Sequence, residues 1–144
     1  MALTQNRNTP HRQNTSRNLA LAAGAVVYAG GMVAMAANGF VNAASTATGL
    51  TAVGVATHYQ DNTTGDNGDQ HVDVQRGFFG FANSAGADEV TRADIGQVCY
   101  MVDDETVAKT SGTDTRSPAG IVDDVDGNGV WVNIDPTNGV AASA

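Results

Sequence analysis

The sequence predicts an all-β fold, mainly strand with at most one short helix, closing as a small β-barrel or sandwich behind an extended N-terminal arm. Three observations predict it. Ala, Val, Gly, Thr, Asn and Asp dominate, with four Leu and a single Lys, Lys109, a poor stock for a helical bundle. Turn signals such as Asn38-Gly39 and Asp126-Gly127 recur along the chain. The apolar runs between them are short, as strands are. At 144 residues the chain has room for one domain and not for two substantial cores.

Residues 1–18 (MALTQNRNTPHRQNTSRN) are polar, hold Pro10 and show no hydrophobic period, which predicts an extended basic arm ordered only against a partner. The β-rich domain is expected over 19–135. Short strands are expected at 25–29, 32–36 and 40–44, with a half-buried alternating strand at 51–59. Residues 61–70 (DNTTGDNGDQ) read as a polar loop without a core residue. The run 71–81 (HVDVQRGFFGF) reads as a strand with a bulge at Gly77. One helical turn is expected within 88–95, a strand pair at 97–102 and 106–109, and a hairpin of 119–125 with 130–134. Residues 136–144 are small and polar, which predicts a flexible tail.

The segment 19–37 (LALAAGAVVYAGGMVAMAA) competes with this reading. It is uncharged, preceded by Arg12 and Arg17, and ends in an Ala34-Met35-Ala36 triplet that imitates a signal-peptidase site. Ala and Gly contribute little transfer free energy, however, and Gly24, Gly30 and Gly31, with the nearby Gly39, punctuate it at turn-like spacing. Two strands around Gly30-Gly31 are the preferred expectation, with a leader or anchor as the alternative.

Charge divides the chain. Before Asp61 there is no acid, and Arg7, Arg12 and Arg17 make that stretch +3. From Asp61 onward fifteen acids face only Arg76, Arg92, Lys109 and Arg116, a net −11. Phosphate binding needs clustered Lys and Arg, so nucleic acid is not expected as the main partner; nor is a membrane. An arm that seeks negative surface and a body that avoids it is the expectation.

Little of the chain promises chemistry. Cys99 is the one cysteine, set among apolar neighbours, and reads as a buried thiol. His11, His58 and His71 are far apart; the last two flank the polar loop and have Asp61 and Asp69 as conceivable co-ligands, without a metal-site spacing. The one calcium-like pattern is Asp124-Val125-Asp126-Gly127-Asn128-Gly129 with Asp135 at the twelfth position. Its flanks are strand-like and its twelfth residue is the shorter Asp, so a hairpin turn is preferred over a metal site. The serines lack a nucleophile-elbow context, and Asp103/Asp104 and Asp123/Asp124 point to opposite faces as strand neighbours. No enzyme activity and no cofactor are expected. Phe78 and Phe79 cannot both face one core from a regular strand, so one of them is a candidate for a subunit interface.

The order of segments resembles the head-decoration, or capsid cement, proteins of tailed bacteriophages. The resemblance is carried by Ala23-Gly24-Ala25-Val26-Val27, Gly54-Val55-Ala56, His71-Val72-Asp73-Val74-Gln75-Arg76-Gly77, and Ile95-Gly96-Gln97-Val98-Cys99-Tyr100. Its most distinctive part is Ala119-Gly120-Ile121-Val122 followed by Val130-Trp131-Val132-Asn133-Ile134. The basic arm and the 61–70 loop depart from the pattern. The resemblance implies a virion structural protein, made in the host cytoplasm and bound as a trimer to the outer face of a shell of major capsid protein, which it stabilises. Arg7, Arg12 and Arg17 would then meet shell carboxylates. The competing expectation is a secreted or surface-anchored β domain with a cleaved leader over 12–36, binding calcium at Asp124, Asp126, Asn128 and Asp135.

Overall fold

The computed structural model describes residues 1–10, 12, 13 and 15–140; His11, Asn14 and residues 141–144 lie outside the described residues. The chain forms β1 (Ser16–Ala20), β2 (Val26–Val27), β3 (Met32–Met35), β4 (Val41–Ala43), β5 (Thr51–Ala56) and β6 (Gln60–Asp61). It continues with β7 (His71–Gln75), β8 (Gly77–Phe81), β9 (Val98–Met101), β10 (Val107–Ala108), β11 (Pro118–Asp126) and β12 (Gly129–Ile134). The first sheet runs β1-β7-β5-β3-β4, the second β10-β9-β11-β12-β8, and β2 pairs with β6 alone. All named pairings are antiparallel. The all-β expectation holds.

Each five-stranded sheet curls until its two edges meet. Leu21, just past β1, bridges Val41 of β4, and the Ala22 N–H donates to the Val41 carbonyl at 2.9 Å. Ala82, just past β8, bridges Thr106: its N–H donates to the Glu105 carbonyl at 2.8 Å, and its carbonyl accepts from the Val107 N–H at 3.0 Å. Closure of this kind removes strand edges at the points of contact.

Two apolar clusters result. Leu21, Val27, Val33, Val41, Val53, Val72 and Val74 gather on one face of the first sheet. Its other face sends Met32, Ala34, Ala52 and Val55 against Phe81, Cys99, Met101, Val122, Val130, Val132 and Ile134 of the second sheet. β5 is therefore buried on both faces, contrary to the half-buried strand expected at 51–59. The alternation there is also broken. Its register against β3 passes from Val33↔Gly54 to Ala34↔Ala52, so Val53 is the extra residue of a bulge. Gly54 sits at φ +144, and a Cβ on it would meet the Gln75 carbonyl and Val74 Cγ1. Only glycine lets β5 and β7 approach so closely.

Four other expectations are corrected. The 71–81 run is two strands in different sheets, and Gly77 (φ +148) is the bend where the chain crosses between them. The arm's free part is shorter than 1–18, because β1 pairs with β7 from Ser16↔Gln75 onward. The 61–70 loop does contain a core residue. Asn62 is buried; its Nδ2 donates to the Ala22 and Asp66 carbonyls at 2.9 and 3.0 Å, lacing the loop to the strand-free segment after β1. Within the tail, Val140 is buried, and Thr137 and Asn138 are held by Asp135. The helical expectation within 88–95 resolves into two single turns of 3₁₀ helix, Gly86–Asp88 and Arg92–Asp94, the second with a capping box between Thr91 and Asp94.

Candidate functional site

The expected calcium loop is a two-residue hairpin turn. Asp126 pairs with Gly129 across it, and the Asp126 carboxylate accepts from the Asn128 N–H at 2.8 Å and the Trp131 indole Nε1–H at 3.1 Å. These bonds, the backbone one foremost, hold the Asp126 carboxyl below the usual carboxylate range. Asp124 turns back to the Val125 N–H at 2.8 Å. Asp135 lies at the far end of β12, where it accepts from Arg76 Nη1 at 2.8 Å and from the Thr137 hydroxyl and N–H at 2.6 and 2.9 Å. A straight β12 cannot bring the twelfth position back to the first. Asp124, Asp126, Asn128 and Asp135 do not converge.

His58 and His71 do not gather a metal site with Asp61 and Asp69 either. His58 Nε2 accepts from the Asp73 N–H at 3.1 Å, which makes Nδ1 the donor to the Tyr59 carbonyl at 3.1 Å. Asp61 is bound by Tyr59 and Thr63, and Asp69 by the Asp66 N–H. His71 stands exposed at the start of β7, and His11 lies outside the described residues. Among the described residues no group of three or more His, Cys, Asp and Glu could hold a metal. Cys99 is fully buried, and burial pushes its thiol up to about 12, which leaves it a small apolar filler and no nucleophile at neutral pH.

Two surfaces remain. The first is the arm. Residues 1–10, 12, 13 and 15 are exposed and outside any strand, and they present Arg7 and Arg12. Arg17 is different: it lies in β1 opposite Val74, and its Nη2 is buried with no partner among the described residues. The body's cations are engaged in ion pairs: Arg76 with Asp135 at 2.8 Å, Arg116 with Asp88 at 3.2 Å, and Lys109 with Asp94 at 3.7 Å. Arg92 alone has no such pair among the described residues, so the charge the body shows is largely its surplus acid.

The second surface is the outer face of the second sheet at β8. Phe78 points out of the sheet with 58% of its surface exposed, while Phe79 is half-buried against the core. The register places Phe78 beside Asn133 and Gly80 beside Trp131, itself 41% exposed. A shallow hollow beside Phe78 is lined by Ile121, Asp123, Asn133, Asn138 and Val140. Sequence reasoning found the split between Phe78 and Phe79. It missed that β8 is an edge strand, which follows from the order of strands in the sheet and has no mark in the uncharged Gly-Phe-Phe-Gly-Phe run. It also missed the exposed Tyr28–Tyr59 ring pair, with centroids 5.2 Å apart, since β2 and β6 bring together residues distant in sequence.

No helix among the described residues is long and apolar enough to cross a membrane. The chain matches no protein-family model, no curated protein and no solved structure.

Proposed function

We propose that the protein is a non-catalytic capsid decoration protein, whose body covers the outer surface of a phage head and whose arm grips neighbouring shell subunits. One observation carries this reading: the division of charge in the sequence is also a division in space. The arm is exposed, outside any strand and cationic, and it enters the body through β1, an edge strand of the first sheet. The body holds Arg76, Lys109 and Arg116 against its own carboxylates. An unpaired segment of this kind can order on a partner surface, with Arg7 and Arg12 forming charge-assisted bonds to shell carboxylates. Many such weak contacts on a repeating shell add up through multivalency.

The competing leader over 12–36 would remove β1, β2 and β3 on cleavage. That would strip Leu21, Val27, Met32 and Val33 from the two cores, which favours a retained arm. The test is binding to purified shells. A chain lacking residues 1–15 should stay folded and lose shell binding, and Arg7→Ala with Arg12→Ala should weaken binding most at low salt. Undiminished binding by the truncated chain would defeat the arm's role. Shells whose heat stability is the same with and without bound protein would defeat the cement reading.

A further inference from the structure

β8 has an unguarded side. Because Ala82 directs both its N–H and its carbonyl away from β12, toward residues 105–107, the two-residue period of a strand directs those of Gly80 and Phe78 the same way. Among the described residues no backbone group is paired with the N–H or carbonyl of either on that side, and both residues are exposed. Between the bend at Gly77 and the bridge at Ala82, β8 thus presents two N–H and two carbonyl groups in a row, with no charged residue on the strand. The other sheet edges are blunted: β4 has three residues, β10 has two, and β1 carries Arg17.

Gly80 has no reason within one copy to be glycine. Its φ is not in the left-handed region. The nearest atoms a Cβ there would meet are those of the Trp131 ring at 3.7 Å, an ordinary contact. Glycine in a strand interior nonetheless costs roughly 0.5–1 kcal/mol relative to alanine. Such a residue often marks a place where another chain comes close.

We propose that β8 pairs antiparallel with β8 of a second copy, about a two-fold axis at Phe79. The spacing of the free groups is self-complementary. With Phe79 opposite Phe79 of the second copy, Phe78 lies opposite Gly80 of that copy, and the reverse. Each Phe78–Gly80 pair exchanges two N–H···O bonds, four in all. On the outer face the Phe78 ring then lies over the bare Cα of Gly80 of the second copy and reaches Trp131 of the same copy. Two exposed aromatic rings are covered on each side, joining the second sheets of the two molecules. Glu105, the nearest carboxylate to the edge, flanks Ala82, and the antiparallel arrangement sets the two copies of Ala82 about 20 Å apart. Repulsion between the two copies of Glu105 is screened at that separation. The contact is isologous and closes at two copies, where the family resemblance implies three. It rests on the β8 geometry and on no part of the shell reading.

The experiment is analytical ultracentrifugation of the full chain from about 1 to 100 µM, a range that brackets a micromolar dissociation constant. Trp131, the single tryptophan, supplies a parallel emission signal. The wild type should be a dimer at the upper end and dissociate on dilution, with Trp131 emission shifting as it does. Gly80→Thr, which places a side chain where Phe78 of the second copy must lie, and Phe78→Ser should each weaken association about tenfold or more. Both should leave the unfolding temperature of the dilute monomer nearly unchanged, since both side chains project from the outer face. A wild type that stays monomeric, an association of three copies, or a dimer undiminished in both variants would overturn the proposal.

Discussion

The first sheet is covered on both faces, one by the Leu21–Val27 segment, to which the 61–70 loop is bonded, the other by the second sheet. The second sheet is covered on one face only and carries Phe78 and Trp131 on the other. The difference follows from the residues each sheet can spare. β5 of the first sheet reads Thr-Ala-Val-Gly-Val-Ala, with no polar side chain after its first residue to turn toward water. β11 and β12 of the second alternate or end in Asp123, Asp124, Asp126 and Asn133. A sheet without a polar face must be buried twice, and a sheet with one is free to meet a partner. The first sheet is therefore the frame, and the second, the side proposed for contact, is the contact side.

The sharpest way to break that contrast is to place equivalent insults in the two sheets. Gly54→Val in the frame drives a branched side chain into the Gln75 carbonyl and Val74 at a φ of +144. Its cost should reach at least about 3 kcal/mol, combining overpacking with left-handed strain, and leave little folded protein in a denaturant titration. Gly80→Thr on the contact side should cost the monomer almost nothing. Equal losses at the two glycines would remove the distinction. Next in size, Leu21→Ala, at a fully buried position that closes the first sheet, should lose about 2–5 kcal/mol of unfolding free energy. Ile121→Ala, half-buried on the outer face, should lose under about 1.5 kcal/mol.

The fold was only half legible in the sequence. The hairpin of β11 and β12 and the β9–β10 pair are local, and their turn residues and apolar runs announced them. The path of 71–81 was not. Val72 and Val74 alternate with polar residues as Phe79 and Phe81 alternate with Phe78 and Gly80, so one strand and two strands in different sheets share a pattern. β1 escaped notice because Ser16-Arg17-Asn18 is polar, and its pairing with β7 lies more than fifty residues away. Asn62 escaped because a lone buried amide inside a polar stretch has no periodic signature. The candidate surfaces fared similarly: that one of Phe78 and Phe79 faces outward was readable from their adjacency, whereas which one, and the open edge beside it, depended on where β8 falls in the sheet.

The junction between the sheets offers a smaller test. Arg76 follows β7 of the frame, and its partner Asp135 follows β12 of the contact side. Asp135→Asn should lose about 1 kcal/mol at pH 7 by thermal or urea unfolding, because it weakens charge-assisted bonds that leave both side chains partly exposed. Its carboxyl is held below its ordinary value of 3.8, first by the Thr137 hydroxyl, then by the Thr137 N–H and Arg76. Asp88, Asp94 and Asp126 are lowered in the same way. Groups depressed in the folded state contribute stability above their unfolded value, and lose it as pH falls below 3.8 and through the folded value. Unfolding temperature should therefore hold steady from pH 7 to about 5 as far as these groups are concerned and drop below about pH 4. Asp135→Asn should drop less over that acid range. A variant with the full wild-type acid loss would show that the junction carries no linked proton.

The smallest expected effect is calcium's, and it asks whether the contact side holds an ion. Binding would require Asp135 to leave Arg76 and join Asp124 and Asp126 at the opposite end of β12. It would also set the ion against the indole N–H and the backbone N–H that the Asp126 carboxylate already accepts. A loop site with a dissociation constant of about 10⁻⁴–10⁻³ M would stabilise the fold by about 1.4–2.7 kcal/mol in about 10 mM calcium, several degrees of unfolding temperature. With the ligands tied to opposite ends of a paired strand, unfolding temperatures in calcium and in chelator should agree. A rise with calcium that Asp126→Asn abolishes would mean that the β11–β12 hairpin opens to make a site, and the outer face of the second sheet would then answer to an ion as well as to a partner.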